Sequence, residues 1–198
     1  FYNGKKINIL EKVDSILDEI HSIKKVIVFH YNKKEKDKIN KFIDFDEVLE
    51  NSNLDETFER FEFNHPIYIL YSSGTTGKPK CITHGSGNVL IEHNKEFMLH
   101  CDIRDNERLF YYTTTGWMMW NWLVGGLATG SSIFLFDGSP TYPKIDTLLE
   151  YCQNKKINLF GTSAKYIDHL KNEKFNSKHL DLSSIKIITS TGSPLAEE

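Results

Sequence analysis

The chain has little cysteine and no strong excess of charge, and both shortages exclude classes of function. Its three cysteines, Cys81, Cys101 and Cys152, are an odd and widely spaced set without a CxxC pair. They fit a reducing, cytoplasmic compartment better than a disulfide framework and do not make a zinc site, and we expect all three to be buried. The net charge of −3 gives no reason to expect nucleic acid or an anionic membrane as a partner.

A long, purely apolar run is also lacking. The segment 109–136 carries no formal charge, but it contains Asn121, a glycine pair and several hydroxyl residues. A helical membrane span needs about 20 predominantly apolar residues, so we predict no span here. We expect instead a strand, a helix and a strand packed inside a soluble domain.

Apolar strands alternate with helical patterns after residue 62. This alternation predicts an α/β fold, a mostly parallel sheet with helices on both faces, in residues 63–198, preceded by an α/β segment in residues 1–62. One helix is expected to begin at Thr141 and Pro143, because proline suits a first turn. Polar loops follow the strands, where such sheets bind ligands. The strand segments are PIYILYS, RLFYYTTT, SSIFLFDG, INLFGTS and SSIKIITSTG.

The loop YSSGTTGKPK, residues 71–80, matches neither common nucleotide motif. A P-loop needs four residues between its glycines, whereas two separate Gly74 from Gly77, and Lys78 is followed by proline. A dinucleotide GxGxxG fails because Leu90 stands where the third glycine belongs. Glycines, hydroxyls and lysines still favour phosphate, since backbone N–H groups and lysine charge converge on anions. A solvated surface loop is the alternative.

The string SSGTTGKPK after a strand resembles the signature of adenylate-forming enzymes, which include acyl-CoA synthetases, luciferases and peptide-synthetase adenylation domains. Further strings resemble the acetoacetyl-CoA synthetases within that superfamily, and the likeness covers roughly residues 61–195. GWMMWNW separates this chain from the acetyl- and propionyl-CoA relatives. The other strings are FNHPIYILYSSGTTGKPKCITH, NLFGTSAKY and TSTGSPL.

The resemblance implies an acid–thiol ligase that uses ATP, Mg²⁺ and coenzyme A to activate acetoacetate through an acyl-adenylate. Its partners are therefore expected to be small molecules. Ligation of acetate, propionate or another short acid stays open, as does a non-catalytic nucleotide-binding remnant. The resemblance also implies that a C-terminal half and a small lid domain with a catalytic lysine lie beyond TGSPL. We therefore expect this piece alone to be inactive.

Three groups of site residues follow from the resemblance. Thr76 and Lys80 are expected to be catalytic by offsetting charge on the leaving pyrophosphate. The acyl pocket is expected from Trp117, Met118, Met119 and Asn121, although methionine and aromatic stripes at helical spacing are also typical of a core. ATP is expected to contact two segments, the loop of residues 71–80 (the phosphate loop) and the turn of residues 192–194 (the adenine turn). The expected contact residues are Ser72, Ser73, Gly74, Thr75, Thr76, Gly77, Lys78, Lys80, Gly192, Ser193 and Pro194.

Histidines on one helical face suggest no metal site. His93 and His100 lie seven residues apart, but no third ligand follows at a metal-binding spacing. We therefore predict no bound metal ligated by side chains of this chain. His84, directly after the phosphate loop, is expected either to orient that loop or to be a satisfied hydrogen-bonding side chain.

Overall fold

The computed structural model describes residues 2–30, 42–52, 57–72 and 77–195. The chain folds as two compact units, Phe1–Glu59 and Arg60–Glu198. In the first unit, the short strands β1 (Ile27–Val28) and β2 (Ile43–Asp44) pair in parallel. Helices α1 (Leu10–Glu19) and α2 (Phe45–Glu50) accompany them. Asp44 starts α2 because its carboxylate accepts a hydrogen bond from the Asp46 N–H at 2.9 Å.

The second unit opens with an antiparallel hairpin. Strand β3 (Pro66–Ser72) pairs with β4 (Lys80–Gly85), so that Ser72 lies opposite Lys80 at the end where the phosphate loop connects them. The expectation that PIYILYS belongs to the parallel sheet is therefore wrong. Its connection to the next strand is too short for the crossover that parallel pairing requires, so the chain turns straight back.

In the described part of the second unit, four strands form a parallel sheet. They are β5 (Arg108–Tyr111), β6 (Ser132–Phe134), β7 (Leu159–Ser163) and β8 (Ile187–Thr191), in the order β6-β5-β7-β8. The helices are α3 (Ser86–Lys95), α4 (Met118–Gly125), α5 (Thr147–Lys155) and α6 (Ala164–Asn172). A π turn, Glu96–His100, extends α3, and a 3₁₀ turn, Gly126–Thr129, extends α4. The predicted α/β fold is confirmed.

Helix α5 begins later than the sequence predicts. The expected start at Thr141 and Pro143 is wrong, since α5 begins at Thr147. The hydroxyl of Thr147 accepts a hydrogen bond from the Lys144 N–H at 3.1 Å and donates to the Lys144 carbonyl at 2.7 Å. These local bonds hold a turn in front of the helix, as threonine side chains often do.

Each strand of the sheet centre contributes to two cores, one on either face. Leu109 and Leu159 face one core, whereas Phe110 and Phe160 face the other. This follows from the two-residue period of a strand. The first core is completed by residues of the π turn, the segment directly after it and α4, and the second includes residues of α5 and α6. Burial on both faces explains why these strands read as continuous apolar runs.

Two of the three cysteines are buried as expected. Cys101 and Cys152 lie in the two cores, and burial raises the pKa of the Cys152 thiol to about 12, which keeps it protonated and unreactive. The expectation for Cys81 is wrong, because it lies exposed on the hairpin strand β4. Among the described helices, none is long and apolar enough to cross a membrane.

The two-faced sheet predicts a large cost for truncating a side chain at its centre. Leu159→Ala, at a site with 0% exposure, is expected to lower the free energy of unfolding of this unit by about 2–5 kcal/mol, because it leaves a cavity. The control Leu135→Ala, at a site with 56% exposure, is expected to change it by no more than about 0.5 kcal/mol. Denaturant unfolding of the complete polypeptide measures both values, and equal losses would contradict the assigned core.

Candidate functional site

A cavity of about 840 Å³ lies in the second unit at the carboxyl edge of the parallel sheet. Tyr111 at the end of β5 and Thr191 at the end of β8 form its sheet side. Hairpin residues, helix α3 with its π turn, and helix α4 supply the remaining walls. This is the position at which parallel α/β sheets bind ligands, and the chain's predicted polar loops also begin there.

Tyr111 holds three strands together at this edge. Its hydroxyl lies 2.9 Å from the Thr162 carbonyl, to which it donates, and 3.0 Å from the Thr191 hydroxyl. The ring lies so close to β7 that a Cβ at Gly161 would stand 2.0 Å from its Cδ2 atom. Burial raises the pKa of Tyr111, so the phenol stays protonated and keeps its donor. The sheet side of the cavity is thereby fixed.

Trp122 ties helix α4 to helix α3. Its indole Nε1–H donates to the Glu96 carboxylate at 2.6 Å, and its ring lies 4.1 Å from the Phe97 ring between centroids. It also meets Tyr111 edge to face at 6.0 Å. Trp122 is 7% exposed and belongs to the core, as its helical spacing allowed, yet it lines the cavity as well. Its anchoring fixes the helix that carries the predicted acyl residues.

Three of the four residues predicted for the acyl pocket come together in the cavity. Met118, Met119 and Asn121 line it from the first turn of α4. Trp117, directly before the helix, does not line it. Its Cη2 atom instead lies 4.0 Å from where a Cβ would stand at Gly192, which has a left-handed φ of +93°. The predicted acyl residues and the predicted adenine turn are therefore neighbours, with Ser193 and Pro194 exposed just beyond.

The phosphate loop connects the two hairpin strands at their closed end. Ser72 and Lys80 are cross-strand partners there, and Gly77, Lys78 and Lys80 are exposed to solvent. These last three residues are thus accessible, as a nucleotide requires, and none of the described loop residues lines the cavity. The remaining predicted loop residues lie outside the described part of the chain, and these are Ser73, Gly74, Thr75 and Thr76.

Sequence reasoning missed several polar residues of the cavity wall. His84 lies on the hairpin, His93 and Glu96 lie along α3 and its extension, and Thr189 lies on β8. The shared helical face of His93 and His100 was a usable signal, since both line the cavity, but that spacing was considered only for a metal. Over the residues that the structure describes, no group of three His, Cys, Asp or Glu side chains is arranged to hold a metal ion.

Comparison with known proteins identifies relatives of the whole chain. The acetoacetyl-coenzyme A synthetase of Rhizobium meliloti (strain 1021) is 55% identical over 142 residues, which cover 71% of this chain and 22% of that protein. The acetoacetyl-CoA synthetase of Gallus gallus is 42% identical over 207 residues, which cover 100% of this chain and 31% of that protein. This chain therefore spans less than a third of the length of either relative.

A solved structure and a family model agree with these relatives. The structure of acetoacetyl-CoA synthetase from Streptomyces lividans superposes with a TM-score of 0.87 at 39% identity, covering 98% of this chain and 30% of that one. The resemblance predicted from the sequence is confirmed. The family model described as AMP-binding enzyme matches residues 3–198, and the chain belongs to that family.

Proposed function

We propose that the complete polypeptide ligates acetoacetate to coenzyme A in an ATP-dependent, AMP-forming reaction. The observation that carries this proposal is the cavity at the carboxyl edge of the sheet, which Met118, Met119 and Asn121 line beside the Gly192 turn. A mostly apolar pocket with a few polar groups suits a short acid that carries one oxo group. The similarity to acetoacetyl-CoA synthetases supports the same substrate.

The reaction proceeds in two balanced steps. In the first, a carboxylate oxygen of the acid forms a bond to the α-phosphorus of ATP, and the bond from that phosphorus to the pyrophosphate oxygen breaks. In the second, the sulfur of coenzyme A, having released its proton, forms a bond to the acyl carbon, and the bond to the AMP oxygen breaks. Both steps gain from groups that hold the reactants in line and from charge facing the leaving pyrophosphate.

The phosphate loop is the proposed binding site for the ATP phosphates. Lys80 begins β4 opposite Ser72, and Lys78 lies two residues earlier, so two exposed lysines stand at the C-terminal end of the loop. Mg²⁺ enters in this proposal as part of the magnesium–ATP substrate. It typically takes most of its ligands from phosphates and water, which agrees with the lack of a three-ligand cluster among the described side chains.

Two other readings compete with this one. The first is ligation of another short acid, such as acetate, propionate or 3-hydroxybutanoate, and the cavity volume of about 840 Å³ leaves room for it. The second is a nucleotide-binding protein without catalysis. The proposed partners are small molecules in each case, and the three free cysteines support a reducing, cytoplasmic setting.

The choice of acid is expected to separate these readings. Acid-dependent pyrophosphate release by the complete polypeptide is measured with acetoacetate, acetate, propionate, butanoate and 3-hydroxybutanoate. Acetoacetate is expected to have the highest kcat/KM, at least about tenfold above acetate, because pocket contacts with extra atoms are worth roughly that factor. Equal values across the acids contradict acetoacetate as the substrate. Release with none of them supports the non-catalytic reading.

Loss of the Lys80 charge is expected to slow adenylation. Lys80→Ala in the complete polypeptide is predicted to lower kcat for pyrophosphate release by about 10²–10³-fold, because charge on the leaving group is then less well offset. The control Lys155→Ala removes an exposed lysine from the last turn of α5 and is expected to leave kcat unchanged. An unchanged kcat in Lys80→Ala would refute the assigned role of the hairpin loop.

A further inference from the structure

We propose that the imidazole of His93 is the hydrogen-bond donor that recognises the oxygen on carbon 3 of the acyl chain. His93 would thereby determine the preference for a 3-oxo acid over the alkyl acid of equal length. The inference rests on the proposed function and assigns a specificity-determining residue within it.

His93 is a polar group in a largely apolar wall, without a hydrogen-bond partner among the residues that the structure describes. It is half-buried on α3 and lines the cavity together with Leu70, Val89, Met118 and Met119. Among the described residues, its ring makes no hydrogen bond. A partly buried donor left unpaired costs free energy, so such groups usually meet a water or a ligand. The 3-oxo oxygen of a bound acid supplies the missing acceptor.

The backbone of α4 fixes the position of the imidazole. A Cβ at Gly125 would stand 2.0 Å from Nδ1 of His93, so the ring packs directly on this glycine. Nδ1 is thereby turned toward α4, and in this proposal Nε2 is the nitrogen that donates into the cavity. Asn121 lies four residues before Gly125 and therefore on the same helical face, where it also lines the cavity. The acyl chain would thus lie between the two methionines and these neutral polar groups.

The charges around His93 favour a neutral donor. Burial lowers the pKa of His93 against the opposing effect of Glu96 and Glu92 on the same helix. The Glu96 carboxylate is already engaged by the Trp122 indole. A neutral imidazole carries one N–H, which suits a carbonyl oxygen and provides no charge to draw the substrate carboxylate away from the α-phosphate. An alkyl chain at the same position offers no acceptor.

The experiment compares two acids that differ only in the 3-oxo group. The ratio of kcat/KM for acetoacetate to that for butanoate is measured with the complete polypeptide. If butanoate is not turned over, the ratio of its Ki as a competitive inhibitor to the KM for acetoacetate is measured instead. His93→Leu is expected to lower this ratio roughly three- to tenfold, the loss for one neutral hydrogen bond. In His93→Leu, kcat/KM for butanoate itself should stay unchanged or rise. His93→Gln keeps an N–H donor and should restore part of the ratio.

Two further variants test the packing of the His93 ring on Gly125. Gly125→Ala places a methyl group where Nδ1 packs, so it should lower the ratio as His93→Leu does, although alanine ordinarily favours a helix. In the double variant His93→Leu with Gly125→Ala, the ratio should be no lower than in either single variant, since both changes remove the same contact. His169→Leu, exposed on α6 and outside the cavity, should leave the ratio unchanged.

The outcomes distinguish failure of the inference from failure of the proposed function. An unmutated enzyme without preference for acetoacetate overturns the proposed function and this inference with it. An enzyme that prefers acetoacetate and keeps the full ratio in His93→Leu overturns the inference alone. Equal losses for both acids in His93→Leu and His93→Gln also overturn it, because His93 would then have a structural role only.

Discussion

The hydroxyl of Tyr111 joins the ends of three strands, and the candidate site depends on this joint. It donates to the Thr162 carbonyl on β7 and meets the Thr191 hydroxyl on β8, while its own backbone ends β5. Gly161 leaves the space that the ring fills. The other side of the ring packs on Trp122, which Glu96 holds through the indole N–H. The sheet edge and helix α4 are thus positioned by one connected set of contacts.

This arrangement separates two tasks in space. The sheet edge and α4 line a mostly apolar cavity suited to an acyl chain, whereas the hairpin carries exposed lysines suited to phosphates. The hairpin contributes to both, since Tyr68, Leu70 and His84 line the cavity and the loop extends from the opposite end of the strands. The Gly192 turn lies beside Trp117, which directly precedes α4. In the proposed function, an acyl-adenylate spans the apolar cavity and the anion-binding loop.

Much of the fold follows from the sequence because periodicity reports burial directly. Leu109, Phe110 and Tyr111 are apolar in succession, which is expected of a strand buried on both faces, and the structure buries all three. Periodicity does not report partners, however. PIYILYS has the same apolar character but pairs with β4 in a hairpin. Cys81, which lies on β4, is exposed. The late start of α5 depends on hydrogen bonds of Thr147 that its residue type permits but does not require.

The site was predictable only in part, for a related reason. Met118, Met119 and Asn121 were found through family resemblance, and they do line one cavity, whereas Trp117 does not. His93 was considered only as a metal ligand, because helical spacing identifies a face but not what that face meets. Its significance comes from a contact with Gly125, which is 32 positions away in the chain and belongs to another helix. Such a contact is a property of packing between helices and leaves no local pattern.

The most direct test of the account is a crystal structure of the complete polypeptide with a stable acetoacetyl-adenylate analogue, such as the acyl sulfamate of adenosine. The acyl chain is predicted to lie in the cavity between the two methionines of α4 and helix α3, with the oxygen on carbon 3 within about 3.2 Å of a ring nitrogen of His93. An acyl chain bound outside this cavity would contradict the central claim that the carboxyl edge of the sheet is the acyl site.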